Sequence, residues 1–304
     1  MSIVANQKTL ERGLRAAFVK SFNNYEDPSD VKDFIMETTS DGRDEEYGWL
    51  GQSPMMTEWV DERRLKSLNS FEYVLVNKDY EATLSVKRND LEDDRLNAVK
   101  VRIDDLARKA KQSHPRKLFF DALLAGTTDL CYDGLPYFSA SHVEGKSGTQ
   151  SNIVTGTGTS VAQLVTDLET AEARMLAYKD DIGEPMHEGE LMIAVICPVE
   201  LKARFERINV SSELTTGVAN TWKGRIKRIT TSSRLTDAND WYFADVTPGL
   251  KPLIRQIRQA VKFESLDNES GSDNAFMRKV FHYGVDSREV FGYGLWQKMI
   301  KVTN

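Results

Sequence analysis

Cysteine is scarce in this sequence. Cys131 and Cys197 are the only two among 304 residues. That is too few for a disulfide framework, and a reducing site of synthesis is the expectation. Histidine is nearly as scarce, with His114, His142, His187 and His282. No two form an H-x-x-x-H pair and no Cys/His group has zinc spacing, so no metal site is expected. No window approaches 18 uninterrupted apolar residues, which excludes a membrane-spanning helix. The opening Met1-Ser2-Ile3-Val4-Ala5-Asn6 lacks the basic-then-apolar pattern of a secretory leader.

Catalytic motifs are missing too. Ser141 precedes His142, but no G-x-S-x-G elbow is present. Gly156-Thr157-Gly158-Thr159-Ser160 lacks the third glycine of a dinucleotide fingerprint and the lysine of a P-loop, and reads as a loop and helix cap. The acidic run at 89–94 lacks the glycine and distal glutamate of a calcium loop. Acids there suit the positive start of a following helix. No catalytic residue and no cofactor is expected.

What is present is enough apolar material for a core. Hydrophobic residues make up 40% and charged residues 28%, which excludes general disorder. The length fits one large domain or two ordinary ones. The net charge of −6 argues against nucleic-acid binding by the whole surface. Its distribution is uneven. Residues 1–25 carry four bases against Glu11, residues 26–62 carry twelve acids against Lys32 and Arg43, and residues 221–262 carry nine bases against three acids. Either these are solvated faces, or an acidic segment of one copy meets a basic segment of another.

Periodicity places the elements. Leu10, Leu14, Ala17, Phe18 and Phe22 share one helical face, with Lys8, Arg12 and Arg15 on another. This helix is expected to dock on its own protein. The run 71–76, the turn residues Asn77-Lys78-Asp79 and the alternation at 80–87 predict a β-hairpin with one apolar face. A two-stranded hairpin is marginal alone, so the body of the subunit or a neighbour must cover that face. Val99, Ile103, Leu106, Ala107 and Ala110 begin a helix that Pro115 kinks or restarts and Gly126 ends. About thirty residues reach about 45 Å, the length of a strut. Ser160 caps a helix carrying Leu164, Leu168, Ala171 and Met175. Residues 191–197 read as a buried strand, followed by a helix with Leu201, Phe205 and Ile208 on one face. Strands are predicted near 226–231 and 241–244, a surface loop at 264–274, and a β-prone tail.

Four stretches together resemble one known family. They are 55–63 with the 71–76 strand; 77–83 through 92–94; Asp133-Gly134-Leu135-Pro136-Tyr137-Phe138-Ser139 with His142; and Trp241-Tyr242-Phe243-Ala244-Asp245 leading to Lys251-Pro252-Leu253-Ile254, with 283–288 and 292–294. In this order they are similar to the Mu-like phage major head subunit (gpT) family. The resemblance implies an α+β, Hong-Kong-97-type capsid fold and a non-enzymatic role. Residues 1–55 would be the N-terminal arm and 56–90 an extended hairpin loop. Residues 91–185 would be a peripheral domain with a long spine helix, 186–262 an axial domain, and 263–304 a return to the peripheral domain.

The function implied is self-assembly, as pentamers and hexamers, into an icosahedral shell. The shell would enclose double-stranded DNA without reading its sequence, in the virion of a tailed phage or prophage, after synthesis in the bacterial cytoplasm. A scaffold protein, a portal and a maturation protease would be partners; a membrane would not. Arg63, Arg64, Tyr73, Tyr80, Leu84, Arg255 and Arg258 are the expected inter-subunit contacts. Two other readings stand beside this one. One is an encapsulin-like nanocompartment shell holding a cargo enzyme. The other is a hydrolase using Ser141 and His142.

Overall fold

The computed structural model describes residues 3–47, 73–87, 96–187, 189–215, 218–266 and 280–304. The stretch 55–63, the acidic run 89–94 and most of the 264–274 loop lie outside the described residues. The first half of the chain forms α1 (Ile3–Asn24), α2 (Ser29–Lys32), β1 (Ile35–Thr39), β2 (Asp44–Glu46), β3 (Val74–Val76) and β4 (Lys78–Lys87). It continues through α3 (Leu96–Arg108), a π-helical turn (Lys109–Ser113) and α4 (His114–Ala125). Next come β5 (His142–Val143), β6 (Thr149–Gln150), β7 (Ile153–Thr155), α5 (Val161–Leu176), β8 (Ile193–Cys197) and α6 (Val199–Val210). The last third holds β9 (Glu213–Thr215), β10 (Val218–Ala219), β11 (Ile226–Thr231), β12 (Trp241–Asp245), β13 (Leu253–Leu266), β14 (Val280–Tyr293) and β15 (Met299–Thr303). None of the described helices is long and apolar enough to cross a membrane.

Two sheets organise these elements. A five-stranded sheet runs in the order β11-β8-β12-β15-β7. All five residues of β8 and all five of β12 are buried, because the sheet is covered on both faces. α5 presents Leu164, Leu168, Ala171 and Met175 to the core, and its capping box joins Ser160 to Gln163. α6 buries Leu201, Phe205 and Ile208. These two helical faces read from periodicity are thus the ones buried here.

The second sheet has four strands in the order β1-β13-β14-β4. Its spine is the long β13–β14 hairpin, which joins two cores. One end carries Leu253, Ile254, Val290 and Tyr293 into the main core. The other carries Phe263, Phe281, Tyr283 and Val285 into a smaller core, where Leu14 and Phe18 of α1 and Val99 and Ile103 of α3 cover them. The register shifts between Ile257 and Gln259 and again between Gln259 and Lys262. Such irregularities bend a strand, and these lie between the two cores.

Helix α3, the π-turn and α4 form one continuous helical run from 96 to 125. Pro115 neither breaks it nor restarts it. Proline has no N–H and its ring crowds the carbonyl four residues earlier; the wider π-turn just before it accommodates both.

One expectation is corrected by the strand pairing. The runs 71–76 and 80–87 do not form a hairpin with each other. β3 pairs antiparallel with β2, and β4 pairs antiparallel with β14 over its full length. Asn77 between them is buried and serves as a hydrogen-bonding centre instead of a turn. The apolar side of β4 is covered within the subunit, since Leu84 and Val86 pack in the smaller core. Most of β13 falls inside 186–262 and belongs to the four-stranded sheet, and β15 falls inside 263–304 and lies between β12 and β7 of the five-stranded sheet. Hydrophobic patterning marks a strand without naming its neighbours, and the hairpin error comes from that.

Candidate assembly surfaces

The β2–β3 pair closes the base of the segment 48–72. Three features hold that base rigid. The backbone N–H of Tyr47 donates to Tyr73 O at 2.8 Å. The Tyr73 hydroxyl accepts from the Tyr293 N–H at 2.9 Å, tying β3 to the end of β14. Beneath them runs a polar network centred on Gln256, which is fully buried in β13. Its Oε1 accepts from the Tyr47 hydroxyl at 2.7 Å, and its Nε2 donates to Asn77 Oδ1 at 2.9 Å and Leu75 O at 3.2 Å. Asn77 Nδ2 in turn reaches Ser40 Oγ at 3.0 Å and Gly42 O at 3.1 Å. Buried amides bound on both sides fix one geometry, because each lost partner would leave a desolvated group. The outer face of the same pair is different. Val74 and Val76 are each 48% exposed, opposite exposed Glu46 and Asp44.

The expected contact residues are scattered. Arg63 and Arg64 lie outside the described residues. Tyr73 is buried, and burial pushes its hydroxyl well above the ordinary range. Tyr80 is half-buried and packs edge-on against His114 at 4.7 Å. It borders a recess of about 130 Å³ lined also by Ala82, Leu106, Ala110 and Val285. Arg255 is not a surface residue: its side chain is 11% exposed and pairs with Glu289 at 2.7 Å and Glu37 at 2.9 Å. Arg258 donates to Ser40 O at 3.3 Å.

Two acids of the acidic segment pair with bases of the basic segment within the chain. Asp33 pairs with Arg228 and Glu37 with Arg255. Two more acids of the segment reach the long helix, Asp27 to Lys111 and Asp30 to Arg116. These contacts seat the 25–39 stretch on the body of its own subunit. The basic face of α1 makes one such link as well, from Arg15 Nη2 to Phe263 O.

The hydrolase reading fails on geometry. His142 is fully buried and stacks on Trp296, with ring centroids 4.1 Å apart. Its Nδ1 lies 2.5 Å from Asp133 Oδ2 and its Nε2 lies 3.3 Å from Tyr137 O. Both nitrogens therefore face acceptors, and neither is left to take a proton from a serine. The Ser141 hydroxyl sits 3.2 Å from that of Ser139. The glycine-rich 156–160 loop is closed as well: Thr157 N and Oγ1 both donate to buried Asp167, which excludes a phosphate cradle.

The profile of the Mu-like prophage major head subunit gpT family matches residues 7–167 and 228–304. The chain belongs to this family. Relatives agree with it over most of their lengths. The Mu-like prophage FluMu major head subunit of Haemophilus influenzae is 28% identical over 289 residues, spanning 93% of this chain and 71% of that protein. The major capsid protein of Escherichia phage Mu is 25% identical over 275 residues, spanning 90% and 67%. Among solved structures, the procapsid of bacteriophage JBD30 superposes with a TM-score of 0.59 at 25% identity, covering 97% of this chain and 75% of that one. A virus-like particle from Pyrococcus furiosus has a TM-score of 0.55 at 11% identity, covering 95% and 98%, and shares the fold alone. The head subunit thus has the Hong-Kong-97-type α+β fold, is a structural component of the phage head and not an enzyme, and works in a multimeric shell.

Most of the residues that hold the β2–β3 pair were not singled out by the sequence. Gln256 carried a usable signal, an uncharged polar residue between Ile254 and Ile257 in a strand-like run. Val74 and Val76 carried none, because exposed valines in a β-prone run read the same as buried ones.

Proposed function

We propose that this head subunit assembles with copies of itself, as five- and six-membered rings, into an icosahedral shell around double-stranded DNA. The extended loop is the 56–90 stretch, whose residues 56–72 and 88–90 lie outside the described residues, and it contacts a neighbouring subunit beside the β2–β3 pair. The helical run 96–125 with the four-stranded sheet forms the peripheral domain. The five-stranded sheet with α5 and α6 forms the axial domain. A scaffold protein, a portal and a maturation protease act with it, after synthesis in the bacterial cytoplasm.

One observation carries this reading: a polar network of buried residues anchors a base whose outer face leaves Val74 and Val76 half-exposed. Covering the two valines in a neighbour contributes about 1 kcal/mol each. Weak contacts suffice, since each subunit makes several at once and linkage multiplies them. The fold is common to phage heads and to the virus-like particle above, so a cargo-holding compartment is the second reading; family membership favours the head.

The test is negative-stain microscopy with sedimentation, with and without a co-expressed scaffold candidate. Wild-type protein should give rings, tubes or closed shells. Val74→Asp with Val76→Asp should leave a folded subunit that does not close shells. A wild-type protein that stays monomeric under both conditions overturns the assembly reading. Normal shells from the double variant overturn the role of the base. Packaged particles holding a protein cargo and no DNA would support the compartment instead.

A further inference from the structure

We propose that Cys131, Asp133 and His142 form a structural site for one divalent transition-metal ion of the zinc class. The three ligand atoms all lie within 4.8 Å of one another. Thiolate, carboxylate and imidazole are the donor types that such an ion takes, and three protein ligands leave one tetrahedral position for water.

The local chain builds the site. The turn at 131–135 is closed by the Cys131 N–H donating to Leu135 O at 2.8 Å and the Gly134 N–H to Cys131 O at 3.0 Å. Gly134 supplies the left-handed conformation, with φ +78°, that lets Cys131 and Asp133 point the same way. β5 delivers His142 from the other side.

Outer partners of the kind that orient metal ligands are already in place. His142 presents Nδ1 to the cluster while its Nε2 faces the Tyr137 carbonyl, the arrangement in which a ligating histidine donates its other N–H to backbone. Stacking on Trp296 fixes the ring. Asp133 Oδ1 accepts from the Leu135 N–H at 3.1 Å.

The electrostatics ask for a cation. Cys131 and Asp133 share this interior with Glu144, whose carboxylate accepts from Trp296 Nε1 and Gln297 Nε2, both at 2.8 Å. Binding forms the metal–sulfur and metal–nitrogen bonds as the thiol proton and the proton shared by His142 Nδ1 and Asp133 Oδ2 are displaced, Nε2 keeping the N–H that donates to Tyr137 O and any excess proton leaving to solvent; the thiolate and carboxylate together balance the dication. In the compact arrangement seen here Cys131 Sγ is 3.0 Å from Asp133 Oδ1. Bonds of about 2.0–2.3 Å require ligand atoms about 3.3–3.6 Å apart, so on loading the Cys131–Asp133 pair opens by about 0.5 Å and the His142–Asp133 pair, 2.5 Å apart here, by about 0.8–1 Å. The bound ion would clip the turn after α4 to β5, beside the Trp296 that precedes β15.

The experiment uses the full chain, stripped with a strong zinc chelator and titrated with Zn²⁺ and separately with Co²⁺. One zinc per chain, a raised unfolding temperature, and a near-ultraviolet sulfur-to-cobalt band are expected. Cys131→Ser should remove the band, whereas Cys197→Ser, in β8, should keep it. Wild-type protein that takes up no stoichiometric zinc and shows no such band overturns the site and leaves a hydrogen-bonded cluster. That result stands even where Cys131→Ser fails to fold, and it leaves the assembly reading untouched.

Discussion

At the residue scale the most consequential group is the buried trio around Glu289. Arg255 and His114 converge on this carboxylate, which is 2% exposed, and Glu37 holds the other side of Arg255. Removing one partner of such a buried pair leaves a desolvated charge and costs about 3–5 kcal/mol. Arg255→Ala should therefore lower the unfolding midpoint of the isolated subunit sharply, and denaturant titration measures it. Reversing Arg255 and Arg258 together to glutamate should give a misfolded subunit, where residues that only touched a neighbour would leave a folded one that fails to assemble. A pH dependence follows from the same site. Burial pushes the Glu289 carboxyl up, but His114 and Arg255 outweigh burial and hold it below its ordinary value. Because the native value is depressed, the native state binds fewer protons than the unfolded chain near the unfolded carboxylate value of about 4.3. The stabilisation is complete above that value and is lost as pH falls through the native one. Glu289→Gln should flatten the loss of stability between about pH 5 and 3, read by thermal unfolding across that range. A slope equal to that of wild type would place the acid sensitivity elsewhere.

At the element scale, packing against a single partner was legible and pairing among many was not. α5 and α6 could be read from the spacing of their apolar residues because one helix stripe meets one core, and Ser160 announced its cap. The 71–87 region was misread because Asn77-Lys78-Asp79 has the composition of a turn. The Asn77 side-chain amide instead bonds to the turn between β1 and β2 and to Gln256 of β13, a use that composition does not distinguish from a turn. Asn77→Ala tests this assignment. It removes donors to Ser40 Oγ, Gly42 O and Arg43 O and the acceptor for Gln256 Nε2. With Gln256 left short of a partner in the core, the expected cost is about 1–3 kcal/mol. An exposed turn asparagine would lose only a few tenths. Urea unfolding of the subunit separates the two, and the loop base should then also gain protease sensitivity near 47 and 73.

At the scale of the whole molecule, the chain leaves and re-enters each sheet, and this is what the sequence hid. Alternation and buried runs located β8, β11, β12 and β14 well, yet nothing local told β13 from β15 as members of different sheets. The acidic and basic segments read equally as solvated faces or as matching surfaces of two copies, and four of the acids find bases within one subunit. Such exposed pairs contribute little singly, so the charge pattern seats the 25–39 stretch more by register than by strength. The weight of the architecture falls on β15. Its residues Met299, Ile300 and Val302 are buried, and it bonds antiparallel to β12 on one side and parallel to β7 on the other. Deleting residues 299–304 should expose the inner edge of β12 and detach β7 from the sheet. It also removes three large apolar side chains worth about 1.5–3 kcal/mol each, a total comparable to the whole stability of a typical domain. The truncated chain should be recovered only as aggregate or as a species without a cooperative thermal transition. Were the tail instead an appendage of the four-stranded sheet, the truncation would leave the β8–β12 core intact, and a cooperative transition with normal near-ultraviolet signals from Trp222 and Trp241 would survive.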